Sequence, residues 1–203
     1  MKKGLLLLLA IVVCFGIYII YSKETDVKKS ITAETPLKIS ENNSTFNNAT
    51  AAVLSSYFNL RDAFVNWSAD STIQKLNDSL IFHTHQIPFG ALKADTLLIN
   101  TAKNFASSIL AESEGLKGDS AIGEQRRDFY NISENLYNFL RTVHYDQATI
   151  YHMHCPMAFD EEEAYWLSTD TTIVNPYFGN KDPKFKTKML HCGDIEDSIN
   201  FRK

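Results

Sequence analysis

The sequence predicts a mostly α-helical protein, an up-and-down four-helix bundle with a small C-terminal strand-and-loop module. Three observations carry this expectation. Four segments between about residues 50 and 144 place apolar side chains at three- and four-residue steps. Short breaks separate these segments, which favours antiparallel neighbours. After His144 the texture changes to short β-branched and aromatic runs between turn residues. The 203 residues, 44% hydrophobic and 12% aromatic, suffice for one packed core and argue against wholesale disorder.

The chain begins with a different kind of segment. Met1-Lys2-Lys3-Gly4 is a positive leader, and Leu5 to Tyr21 is almost unbroken apolar sequence. Residues 1–22 read as an N-terminal membrane anchor or signal segment, with the remainder exported. No Ala-x-Ala-like site follows, which favours an uncleaved anchor. A cleaved signal, or lipidation at Cys14, stays open. Residues 23–49 mix Thr, Ser, Asn, Pro36 and scattered charges without periodicity, and read as a flexible tether.

Residues 50–203 form the expected globular domain, with the bundle over about 50–144 and the module over about 145–203. The first stripe is Leu54, Tyr57, Phe58, Arg61, Phe64 and Val65. Ser68-Ala69-Asp70-Ser71 offers a cap for the second, Ile73, Leu76, Leu80, His83 and Ile87, which Pro88-Phe89-Gly90 ends. Asp95 caps the third, Leu98, Ala102, Phe105 and Ile109, and Gly115 and Gly118 break it. Asp119 or Ser120 starts the fourth and clearest, from Ile122 through Phe129, Leu136 and Leu140 to Val143, with Arg126 on its apolar face. Thr149–Tyr151, Tyr165–Leu167 and Thr171–Val174 are the expected strands.

Charge narrows the function classes. The formal net charge is -4, and no basic stripe is present, so nucleic acid is not an expected partner. No nucleophile elbow, phosphate-binding glycine loop, HExxH or Cys-x-x-Cys motif appears, so a binding module is expected over an enzyme.

Sulfur carries the chemistry. Met153, Cys155, Met157, Met189 and Cys192 all fall in two short segments, His152-Met153-His154-Cys155-Pro156-Met157 and Met189-Leu190-His191-Cys192-Gly193. Each pairs a cysteine with a methionine, in mirrored order. Thiolates with thioethers are a soft ligand set, which selects Cu(I) over harder cations. Cys155, Met157, Met189 and Cys192 are the candidate ligands, with His152, His154 and His191 as borderline ones. A Cys-and-His subset would suit Zn(II) instead. If residues 151–154 form a strand, both histidines face one way and Met153 faces the core. In an oxidising compartment Cys155 and Cys192 could instead form a disulfide worth about 3–4 kcal/mol. His83 and His85, Glu161–Glu163, and Asp194 with Glu196 and Asp197 read as surface or packing residues.

The ordered blocks Cys155-Pro156-Met157-Ala158, Tyr165-Trp166-Leu167-Ser168, Ile173-Val174-Asn175-Pro176-Tyr177-Phe178-Gly179 and Met189-Leu190-His191-Cys192-Gly193 resemble the bacterial family catalogued as domain of unknown function 3347. Gln125–Phe129 with Ser133–Leu136, and Tyr57–Val65, look like that family's final and first helices. The resemblance covers about Thr50 to Ser198; Asn180–Lys188 is longer than in the family's shortest forms. The family is functionally uncharacterised, and its domain also occurs on periplasmic adaptor subunits of heavy-metal efflux pumps. The resemblance therefore implies handling of copper or a similar ion, with an envelope efflux component as possible partner. The expectation is a membrane-anchored protein on the periplasmic side of the inner membrane. It binds copper for efflux or homeostasis, or is a structural domain closed by a Cys155–Cys192 disulfide that docks onto an envelope partner.

Overall fold

Asn43 opens the first helix, because its side chain accepts the Phe46 N–H at 2.9 Å and so satisfies one orphan donor of the first turn. The computed structural model describes residues 42–202. The expected anchor, Cys14 and the tether up to residue 41 lie outside the described residues. Helix α1 (Ser44–Val65) starts before Thr50, and Phe46 is already fully buried, so the last residues assigned to the tether belong to the domain. Helices α2 (Asp70–His85), α3 (Thr96–Gly118) and α4 (Ile122–Thr142) follow the expected stripes. Asp95 caps α3 through the Leu98 N–H at 2.8 Å. No side chain caps α2 or α4, so the expected roles of Ser68, Asp119 and Ser120 are not used. Among the described residues no helix is long and apolar enough to cross a membrane.

The helices are joined by buried polar bonds as well as by apolar surface. Tyr57 stacks on Phe129 at 5.1 Å, and Phe46 meets Phe139 at 6.4 Å. Asn77, fully buried on α2, donates to the Ser113 carbonyl of α3 at 2.7 Å. Asn131 of α4 donates to Glu112 of α3 at 3.0 Å, and the Asp128 carboxylate lies beside Gly115, which continues α3 rather than breaking it. His83 bonds Ser56 at 2.7 Å while His85 is exposed, as packing and surface residues respectively.

Helices α1 and α4 end in the same way. Ser68 N–H reaches Ala63 O and Trp67 N–H reaches Phe64 O; Tyr145 and His144 repeat this against Leu140 and Arg141. This Schellman pattern needs a left-handed residue, and Trp67 (φ 53°) and His144 (φ 49°) fill a place that glycine usually takes. Neighbouring contacts hold them there. Trp67 lies under the Arg126 guanidinium, 4.2 Å from the ring, and donates from Nε1 to Phe178 O at 2.7 Å. His144 stacks on Phe201 at 4.2 Å.

The module is a three-stranded antiparallel sheet in the order β2-β1-β3: β1 (Ile150–Phe159), β2 (Glu162–Ser168) and β3 (Asp194–Ile199). Asp160 and Glu161, both with positive φ, make the two-residue β1–β2 turn, so the acidic run is partly hairpin tip and partly strand. Residues 171–174 form no strand, whereas the charged segment 194–199 does. Every residue of this edge strand except Ile199 is exposed, so it tolerates charges and gives a hydrophobicity reading no alternation to find. The outer edge of β2 is closed by α1. Leu167 N–H donates to the Tyr57 hydroxyl at 2.9 Å, Arg61 donates to Leu167 O at 3.2 Å, and the Tyr57 hydroxyl also bonds Ser133 of α4 at 2.7 Å.

Tyr57→Phe orphans the buried Leu167 N–H and should cost about 1–3 kcal/mol in a urea unfolding curve, whereas Ser133→Ala should cost less because it leaves that strand bond intact. Asp128 ionises near 3.8 ordinarily, but burial, a proton shared with Asp119 and the charges of Asp119, Glu112 and Glu124 push it up to about 7. The fold thus binds more protons than the unfolded chain between these values, and this contribution is present below about pH 4 and lost as pH rises through 7. Asp128→Asn should raise the melting temperature by about 2–4 °C at pH 8, after allowing for solvent screening, and little at pH 4.

Candidate functional site

Strand parity decides which sequence-predicted residues meet. His152 and His154 lie on one face of β1, and Met153 and Cys155 lie on the other. Met153 is fully buried, as the alternation predicts. The same alternation keeps both histidines away from the thiols.

The Cys155 sulfur lies 3.4 Å from that of Cys192, which arrives on the turn before β3. Both are free thiols, one buried and one partly exposed. Gly193 permits this approach: at φ 134°, its missing Cβ would stand 2.3 Å from His154 O and 3.0 Å from the Trp166 ring. Asn175, fully buried, organises the rest. Its amide nitrogen donates to Cys192 O at 2.9 Å, its side-chain oxygen accepts Tyr177 N–H at 2.8 Å, and its backbone N–H reaches Leu190 O at 2.8 Å. An Asn-Pro pair signals a turn in sequence. That the amide would also seat the second cysteine has no sequence signal beyond its place in the Asn175–Gly179 block.

Burial pushes the Cys155 thiol up to about 11; Met157 N–H, bonding its sulfur, works against this, and neighbouring Cys192 adds to it. Cys155 therefore rests mostly as a neutral thiol, and its proton leaves when the sulfur takes a new bonding partner, such as a thiophilic metal.

The methionines diverge. The β1–β2 register shifts between Cys155 and Phe159, so Met157 loses the face it would share with Cys155 and is 46% exposed. It lines a groove of about 310 Å³ with Ala158, Asp160, Glu161, Phe178, Lys184 and Phe185. Met189 is half-buried against the core, in the turn where Cys192 N–H reaches Met189 O at 3.0 Å. His191 is exposed, and its Nδ1–H donates to Ile173 O at 2.6 Å.

The two strand histidines lie together on the opposite face, His152 against α4 and His154 against β2 and β3. His152 is stacked between Tyr137 at 3.9 Å and Tyr165 at 4.8 Å, and its Nε2 meets Glu134 at 2.7 Å. His154 stacks on the same Tyr165, with Asp194 3.1 Å from Nδ1 and Glu163 3.4 Å from Nε2. These carboxylates take opposite sides of the ring and do not converge on one point. Among the described residues no group of three or more His, Cys, Asp and Glu side chains is set to hold a metal ion. A metal at the thiols would thus rest on the two cysteine sulfurs. Two thiolates about 2.3 Å from a tetrahedral ion stand about 3.8 Å apart, and a disulfide needs about 2.05 Å. The observed 3.4 Å lies between, nearer the first.

Gly193→Ala tests the seating of this turn. It should lower the melting temperature and reduce Cys155–Cys192 cross-linking by a short bifunctional thiol reagent; an unchanged yield in the folded variant contradicts the close approach.

No family model matches the chain, and neither a curated protein nor a solved structure does.

Proposed function

We propose that this chain is a membrane-anchored, non-enzymatic protein of the bacterial periplasm that binds a soft metal ion, Cu(I) ahead of Zn(II), for envelope metal efflux or homeostasis. The observation that carries the reading is the meeting of two free thiols, from β1 and from a turn far along the chain, beside the buried amide of Asn175. Cys155 and Cys192 are the primary ligands. Met189, half-buried in the turn that seats Cys192, is the favoured thioether, and Met157 is the surface one. A bound soft ion would supply strong thiolate bonding that offsets the loss of the Cys155 proton. The four sulfur-bearing positions are also those the family resemblance singles out.

The reading includes an up-and-down bundle as scaffold. Supporting it, the pairs Phe46–Phe139 and Tyr57–Phe129 run in opposite directions along α1 and α4. Gln74–Leu116 with Asn77–Ser113 does the same for α2 and α3, and Glu112–Asn131 with Gly115–Asp128 for α3 and α4.

The second reading is a structural or interaction domain docking on an envelope partner, with the sulfurs joined permanently. The divergence of Met157 from the thiols favours it, since a disulfide requires no methionine.

Anaerobic titration of the reduced, detergent-solubilised chain against a Cu(I) chelator separates the two. The copper reading expects one ion per chain and a loss of at least about 100-fold in affinity, about 2.7 kcal/mol, in Cys155→Ser with Cys192→Ser. Unchanged affinity in that double variant rejects it.

A further inference from the structure

We propose that Cys192 is a thiol-modification site. It takes up a low-molecular-weight disulfide and passes the bond to Cys155, closing the metal site by oxidation. The closing of the metal site rests on the copper reading above; the thiol chemistry does not.

The two sulfurs are unequal in access and close in space. Cys155 is 0% exposed, hydrogen-bonded into the middle strand of the sheet, with Cys192 and Asn175 over it. Cys192 is partly exposed, on a turn between the exposed His191 and the open-backbone Gly193. A reagent disulfide therefore reaches Cys192 and not Cys155. Once Cys192 is modified, Cys155 is the nearest thiol, 3.4 Å away before any movement. Proximity of this kind makes the second step effectively unimolecular.

The exchange balances. The Cys192 thiolate attacks one sulfur of the reagent disulfide; a mixed disulfide forms, the reagent S–S bond breaks, and the departing thiolate takes up the proton that Cys192 released. Cys155 then gives up its proton and attacks the Cys192 sulfur. The Cys155–Cys192 bond forms, and the second reagent thiol leaves with that proton. Two protein thiols are oxidised and one reagent disulfide is reduced to two thiols. The product has no thiolate left for a soft ion.

The fold is prepared for this. Asn175 anchors the Cys192 turn through its carbonyl and not its sulfur, so the turn stays seated while the sulfur changes partner. Gly193 has no side chain to obstruct the small closing movement towards β1.

The test uses the full chain in detergent, in a Cys14→Ser background, metal-free, with glutathione disulfide and intact-mass detection. Wild-type residues at the pair should end two hydrogens lighter with no retained adduct. Cys155→Ser should keep one glutathione on Cys192, and Cys192→Ser should react at least about tenfold more slowly because its remaining thiol is buried. Peptide mapping of the early adduct with both cysteines present needs no folded variant and should find it on Cys192. Equal labelling of both cysteines, an adduct that persists with both present, or no reaction overturns the assignment. In a second arm the oxidised protein should lose at least about 100-fold in Cu(I) affinity and regain it on reduction. Equal binding by both forms overturns the gating alone. Absence of binding by the reduced form, with the mapping intact, removes the copper reading and leaves the thiol assignment standing.

Discussion

The open edge of β2 is the constraint on which the rest of the structure depends. A strand edge exposes unpaired N–H and C=O groups, and a buried one must find partners elsewhere. Here Tyr57 and Arg61, one helical turn apart on α1, take the N–H and the C=O of the same residue, Leu167. The Tyr57 hydroxyl serves α4 as well through Ser133. One buried phenol thus sets the height of the sheet on two helices, and with it the position of Cys155 on the neighbouring strand. Burial raises the Tyr57 ionisation well above its ordinary range, so the hydroxyl stays a neutral donor and acceptor at any physiological pH.

A second seam positions the other sulfur. Arg126 is buried, donates to Phe64 O at 3.1 Å and stacks on Trp67, while burial lowers its pKa to about 10, leaving it charged. Gly179 enters this corner at φ 63°, where a Cβ would lie 2.5 Å from Val65 O. Asn180 N–H then caps that carbonyl at 2.8 Å. The C-terminus of α1 therefore holds the Asn175–Gly179 loop, and Asn175 holds Cys192. Two thiols far apart in sequence meet because each is tied, by a different route, to the same helix.

Much of the scaffold was legible in the residues. The four apolar stripes mark the helices, and Asp95 marks the start of α3. Alternation in His152-Met153-His154 separates core from cluster. The parity argument could have gone one residue further and placed Cys155 away from both histidines. Other features carry no local signal. Asn43 looks like tether because nothing nearby is periodic, and β3 looks like solvated loop because it is acidic and exposed along nearly its whole length. Arg126 reads equally as a surface-reaching or a buried charge until Trp67 and Phe64 are in place around it.

The amino-acid sequence by itself determined the helical class, the clustering of sulfur near the C-terminus and the burial of Met153, since these follow from period and composition. Only the tertiary structure decided which sulfurs meet. The bulge after Cys155 turns Met157 outwards, and Gly193 with Asn175 brings Cys192 inwards. Both depend on long-range backbone contacts, and a local pattern of residue types does not encode the distance between two segments that are neighbours only in the fold.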